Sequence, residues 1–128
     1  MKAITIKQPW ATLIVKGYKK YEFRTWKTKY RGKILIHAVK GVDKKCLEKF
    51  KHLNLEYPAG CIIGEVEITD CIELNEETEN KIIEENPLVY GHHKRREGYA
   101  WKLTNPKEIE KIEMNGQLGL WNYEKKED

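Results

Sequence analysis

Residues 17–33 read GYKKYEFRTWKTKYRGK. Basic side chains stand at Lys19, Lys20, Arg24, Lys27, Lys29, Arg31 and Lys33, and aromatic ones at Tyr18, Tyr21, Phe23, Trp26 and Tyr30. Glu22 is the single carboxylate among them. Across KYEFRTW the residues alternate, which predicts a strand with Tyr21 and Phe23 on one face and Glu22, Arg24 and Trp26 on the other. Several cations around one carboxylate, beside aromatic faces, make this stretch the first candidate for a site.

The elements on either side of it set the fold class. KAITIK (2–7) alternates as a short strand. QPWATLIVKG then reads as a helix of two turns, Pro9 at its first position and Gly17 just past its end, where glycine is the ordinary C-cap. After the 28–32 connection, KILIHAV is a buried, β-branched strand whose His37 needs a hydrogen-bond partner. Asp43 can cap a helix DKKCLEKFKHL, with Leu47, Phe50 and Leu53 at helical spacing. CIIGEVEITDCIEL is a long strand; strict alternation puts Ile62, Val66 and Ile68 on one face and Ile63, Glu65 and Glu67 on the other. NEETENKIIEEN reads as an acidic helix ended by Pro87. Beyond the polar loop GHHKRREG, the segments YAWKL, IEKIEM and QLGLWNY read as three short strands, with Asn115-Gly116 as a hairpin turn between the last two. Many short strands with two or three peripheral helices predict an α+β fold built on a small β-barrel. Residues 1–123 form one domain on this reading, and 124–128 a charged tail.

Composition narrows the function classes. With 40% hydrophobic and 34% charged residues the chain is globular with a wet surface. No apolar run reaches the roughly 20 residues of a membrane span, and MKAITIKQPW has no signal-peptide core, so a soluble, cytoplasmic protein is expected. Cys46, Cys61 and Cys71 lack CxxC spacing and His92 and His93 are adjacent, so neither a disulfide framework nor a metal site is expected, and no cofactor is implied. The net charge of +4 conceals an asymmetry: residues 1–51 carry 15 Lys or Arg against 3 Asp or Glu, and residues 52–128 carry 9 against 17. A basic half interleaved with aromatics points to a polyanionic partner. The alternative is a face made basic only for solubility, and the same pair of readings applies to Lys94, Arg95 and Arg96.

Gly17-x-Lys19-x-x-Glu22-x-Arg24 resembles the GxKxxExR signature of the ASCH (activating signal cointegrator homology) domains, and QPWATLIVKG, TWKTKYRGKILIHAVK, PAGCIIGEVEITDC and GYAWKL are similar to segments of that family in the same order. The resemblance implies a PUA-like β-barrel and a nucleic-acid-binding role. It also implies a second possibility, because certain small bacterial relatives are amidohydrolases acting on acylated cytidine, with the Lys retained, a Thr nucleophile where this chain has Glu22, and a later Glu.

Two function classes follow. In the first, a module binds RNA or another single strand, with Lys16, Lys19, Lys20, Lys27, Lys29 and Arg31 along the phosphate track and Trp26 and Tyr30 stacking on bases. Glu22 there orients Lys19 and Arg24 or accepts from a base. In the second, a small hydrolase acts on RNA or a modified nucleoside through Lys19 with Glu22, Glu65 or Glu67. Trp10, Trp101 and Trp121 are assigned to the core.

Overall fold

A computed structural model of the chain describes residues 1–91 and 97–124. The Lys94–Arg96 reading and most of the 124–128 tail therefore lie outside the described residues. Six strands form one sheet: β1 (Lys2–Gln8), β2 (Tyr21–Arg24), β3 (Gly32–Val42), β4 (Cys61–Glu73), β5 (Tyr99–Glu113) and β6 (Leu120–Asn122). Helices α1 (Trp10–Val15), α2 (Lys44–Lys49), α3 (Glu76–Glu85) and α4 (Pro87–Tyr90), with a 3-10 turn at Lys51–Leu53, connect or flank them. The strand order is β2-β5-β4-β3-β1-β6, with β1 and β3 parallel and the other pairs antiparallel.

Local chemistry explains most element ends. The Gln8 side-chain carbonyl accepts from the Thr12 amide at 3.0 Å, and its own amide donates to Thr12 Oγ1 and to the Pro58 carbonyl. That buried amide thus caps the first turn of α1, while Pro9 occupies the cap position itself. Asp43 caps α2 through the Cys46 amide, as expected. Asn75 and Thr78 form a reciprocal capping box on α3. Pro87 ends α3 and opens α4, where its missing N–H costs nothing.

Helix α1 lies against the inner face of the sheet. Ala11, Ile14 and Val15 pack with Ile4, Ile34, Ile36, Val66, Ile68 and Trp101. A second cluster joins Leu13 and Phe50 to Leu74, Ile82, Val89 and Tyr90, with Tyr21 and Phe23 packed against it. A third, of Ala3, Leu35, Ile62 and Trp121, covers the outer face of β1, β3 and β4. Each fully buried aliphatic residue stabilises by about 1.5–3 kcal/mol, and β4 supplies both faces.

Four expectations are corrected. The barrel is not closed: β2 and β6 are the outer strands, and no ladder joins them among the described residues. The sheet nevertheless curls far enough for Arg24 of β2 to reach the Thr5 carbonyl of β1, although β5, β4 and β3 separate those strands in the sheet. In β4, Ile63 packs with Val66 and Ile68 while Ile62 joins the opposite cluster. The cause is a bulge: Ile36 pairs with Gly64 and His37 with Ile62, leaving Ile63 extra and reversing the alternation. YAWKL and IEKIEM are one 15-residue strand, β5, which passes Pro106 by irregular pairing with β4. Finally, Asn115-Gly116 is not a hairpin turn, because β6 pairs with β1 rather than β5. His37 Nε2 bonds the Met114 carbonyl at 2.7 Å and helps direct the chain across to that edge.

Gly64 marks the tightest approach of α1 to the sheet. A Cβ there would lie 2.6 Å from Val15 Cγ1 and 2.7 Å from the Lys107 carbonyl oxygen. Gly64→Ala is therefore expected to destabilise by about 1–3 kcal/mol through overpacking. Denaturant titration should show a lower midpoint at unchanged slope; an unchanged midpoint would mean that α1 moves away at no cost.

Candidate functional site

The signature residues build one site because of how α1 ends. Gly17 has φ +86, its amide donates to the Ile14 carbonyl, and the Tyr18 amide donates to that of Leu13. This is a Schellman stop, in which a left-handed residue satisfies the last helical carbonyls and turns the chain sharply. The C-cap reading of Gly17 is thus correct, and the turn also delivers Lys19 to the base of β2.

Lys19 is 5% exposed and Glu22 9%. Lys19 Nζ donates to Glu22 Oε1 at 3.0 Å and to the Tyr21 backbone carbonyl, and lies 5.2 Å from the Phe23 ring centre. Arg24 donates through Nε (3.1 Å) and Nη2 (2.8 Å) to Glu22 Oε2, and Nη2 also reaches the Thr5 carbonyl at 3.1 Å. The face reading of β2 therefore holds: Glu22 and Arg24 share one face, joined by their ion pair, and Tyr21 and Phe23 pack with Tyr90 in the second cluster.

Burial alone would raise the Glu22 pKa, but the charges of Lys19 and Arg24, together with their hydrogen bonds, outweigh it and hold the carboxyl below its ordinary value. Glu22 is a fixed anion at neutral pH, an acceptor with no proton to give. The three side chains together carry a net positive charge.

Above them opens a cavity of about 460 Å³, lined by Thr5, Ile6, Lys7 and Trp10 from the β1–α1 side, by Lys19, Glu22, Phe23, Arg24, Thr25 and Trp26, and by Val89 and Tyr90 of α4. It occupies the gap where β1 and β2 face each other without a ladder. Trp26, 38% exposed, packs edge-on against buried Trp101 at 4.7 Å and so presents a fixed aromatic surface. The Tyr90 hydroxyl accepts from the Lys20 amide at 2.7 Å, and burial pushes its pKa up to about 12.

Not every basic residue of the stretch joins this cavity. Lys16 pairs with Glu108 at 2.7 Å on another surface. Lys20 lines a separate cavity. Lys27 and Lys29 are exposed beyond Trp26 and outside the cavity wall. Tyr30 is packed against the core with its hydroxyl donated to the Lys33 carbonyl, and Arg31 bonds the Thr28 and Tyr30 carbonyls. Glu65 and Glu67 do not line the cavity; they alternate with Val66 and Ile68, which face the inner core. Trp101 and Trp121 are core residues as expected, whereas half-buried Trp10 also lines the cavity. Thr5, Lys7, Val89 and Tyr90 have no sequence signal that marks them for the site. Only the curl of the sheet and the docking of α4 bring them there, and no local pattern carries that information. Among the described residues no group of three His, Cys, Asp or Glu side chains could hold a metal ion.

The folded Glu22 pKa is lowered, so its contribution to stability is fully present above the ordinary value of 4.5 and is lost as pH falls through the folded value. Glu22→Gln leaves two cations around a neutral amide and is expected to destabilise by about 3–5 kcal/mol at pH 7. The gap between wild type and variant should shrink below pH 4.5. A gap independent of pH, in unfolding measured from pH 2 to 7, would show that shape rather than charge makes the difference.

The ASCH domain profile matches residues 4–113. Activating signal cointegrator 1 of Homo sapiens is 25% identical over 138 residues, covering 96% of this chain, and its Mus musculus counterpart is 25% identical over 136 residues with the same coverage. The chain spans only 22% of the length of those relatives. Among solved structures, ASCH from Zymomonas mobilis aligns over 88% of this chain and 72% of its own with TM-score 0.59 at 16% identity. A point mutant of that Zymomonas mobilis protein aligns over 88% and 74% with TM-score 0.56 at 17% identity. At such identities the likeness concerns the fold.

Proposed function

The chain belongs to the ASCH domain family, and on that premise we propose that it is a nucleic-acid-binding module that draws an unpaired nucleotide of RNA or another single strand into the cavity beside Lys19, Glu22 and Arg24. The observation that carries this reading is the cavity itself. It has the size of a nucleotide-scale site, a net positive base and an aromatic surface, Trp26, at its wall. Arg24 Nη1 makes no hydrogen bond among the described residues, so its two N–H groups are left for a ligand oxygen. Exposed Lys27 and Lys29 follow Trp26 directly and extend the positive surface for a phosphate backbone.

Duplex recognition through the major groove is disfavoured. The longest helix among the described residues is α3, ten residues of sequence EETENKIIEE, whose carboxylates repel phosphate. Unpaired bases instead offer faces for Trp26 and edges for Glu22 or Arg24.

A hydrolase remains the second reading because Lys19 and Glu22 meet at 3.0 Å inside a nucleoside-sized cavity. Glu22 has no proton to donate in that pairing, and Glu65 and Glu67 lie off the cavity, so binding is favoured over turnover.

Titration with short RNA, single-stranded DNA and duplex DNA across salt tests both readings. Single strands should bind more tightly than duplex, with log affinity falling linearly in log salt. Replacing Lys27 and Lys29 by Ala should flatten that slope by about 0.7 per lost phosphate contact. Trp26→Ala should cost about 1–3 kcal/mol of binding. Release of a cleaved or deacylated product by the pure protein, lost in Lys19→Met, would instead establish the enzyme.

A further inference from the structure

A second cavity, about 410 Å³, adjoins the first, and Lys19 lines both. Its other walls include Gly17, Lys20, Tyr21, Glu85, Lys102 and Asn105. Tyr21 and Lys102 are cross-strand partners of the β2–β5 ladder, so their side chains stand on one face. Lys20 and Lys102 are exposed, and neither ammonium has a hydrogen-bond or ion-pair partner among the described residues; nor does the Asn105 side chain. Asn105 is also held at φ +51, beside Pro106, where the β5 pairing with β4 shifts between Glu65–Lys107 and Glu67–Thr104. Asparagine adopts the left-handed region readily, and bulges of this kind are over-represented next to functional sites, where they re-aim side chains.

We infer that this second cavity is a sugar-phosphate subsite for the nucleotide next to the one in the central cavity, so that the ligand is an oligonucleotide rather than a nucleoside. The inference rests on the nucleic-acid reading above and extends it across Lys19. Lys20 and Lys102, neither in an ion pair among the described residues although Asp70 stands opposite Lys102 in the β4–β5 ladder, supply charge for a phosphodiester. The carboxylate of Glu85 repels phosphate but accepts from a sugar hydroxyl, and the Asn105 amide can do either. A mixed set of this kind suits a ribose-phosphate step better than an isolated anion. Strand passage past Lys19 also gives the buried ammonium a place midway along the ligand, where it raises the local potential for both subsites.

The test compares binding of the four nucleoside monophosphates with that of ribo-dinucleotides and ribo-tetranucleotides extended from whichever monophosphate binds most tightly. The expected result is a gain of about tenfold from mono- to dinucleotide, the scale of one charge-assisted contact. Lys102→Ala should remove most of that ratio while leaving the unfolding midpoint close to that of the wild type; Lys102→Glu, which faces Asp70 across the β4–β5 ladder, should remove it too at some cost in stability. A monophosphate that binds with no gain on extension, or a gain that both variants retain, overturns the second subsite and leaves the central one standing. Failure of every mononucleotide and oligonucleotide to bind overturns both.

Discussion

The carboxylate of Glu22 is the point on which the site depends. It holds Lys19 through one oxygen and Arg24 through the other, and each cation continues to a backbone carbonyl, Lys19 to Tyr21 within β2 and Arg24 to Thr5 on β1. Thr5 Oγ1 in turn accepts from Trp121 Nε1 of β6 at 3.2 Å. A line of polar contacts therefore runs from one outer strand, across β1, to the other. Among the described residues the sheet has no ladder along that seam, and side chains take the place that backbone pairing would hold in a closed barrel. Burying three charges carries a large desolvation cost, and such clusters seldom improve stability over an apolar core. Here they keep a gap open while fixing its two edges.

That arrangement explains which parts of the site were legible in the sequence. The GxKxxExR spacing encodes local geometry: Gly17 accepts the left-handed turn, Lys19 falls three residues before Glu22, and Arg24 two residues after it on the same strand face. Periods of two and the cap at Asp43 are likewise properties of a few neighbouring residues. The failures all involve partners far along the chain. Ile63 became an extra residue only because β3 and β4 pair on either side of it. Asn115-Gly116 carries a strong turn preference, yet Ile109, Ile112 and Met114 pack with Trp121 in the outer cluster, and the chain continues to β1 instead of folding back. YAWKL and IEKIEM, read as two strands, run together because a shift in pairing with β4 carries the chain past Pro106. Lys7 and Tyr90 reach the cavity by the same long-range geometry, which no octapeptide contains.

Charge segregation has a similar two-level explanation. The basic half of the chain is not one continuous positive track. Lys16 is neutralised by Glu108, Arg31 lies 4.0 Å from Asp70, and Lys19 and Arg24 share Glu22. Exposed pairs such as the first two contribute little to stability, but they remove those cations from any long-range field. Among the described residues, cations without an ion pair include Lys20 and Lys102 on one side of Lys19 and Lys7 on the other, with Lys27 and Lys29 just beyond Trp26, but also residues such as Lys2, Lys33, Lys44 and Lys45 away from the cavities.

The protonation state of Glu22 bears on mechanism as well as stability. A group that shuttles protons works best with a pKa close to the operating pH. Lys19 and Arg24 instead hold the Glu22 carboxyl below its ordinary value and engage both oxygens. The Tyr90 phenol, raised to about 12, is far from neutral on the other side. Two titratable side chains of the cavity wall are thereby locked in single states at neutral pH, one always an acceptor and the other always protonated. Fixed donors and acceptors discriminate among ligands by the penalty of leaving a buried polar group unmatched. An ionised Glu22 rejects an incoming acceptor such as a phosphate oxygen and accepts an N–H, while the remaining donors of Arg24 do the reverse. On the nucleic-acid reading proposed above, such a pair would sort the edge of a base from its phosphate and so orient a nucleotide in the seam, with no proton having to move.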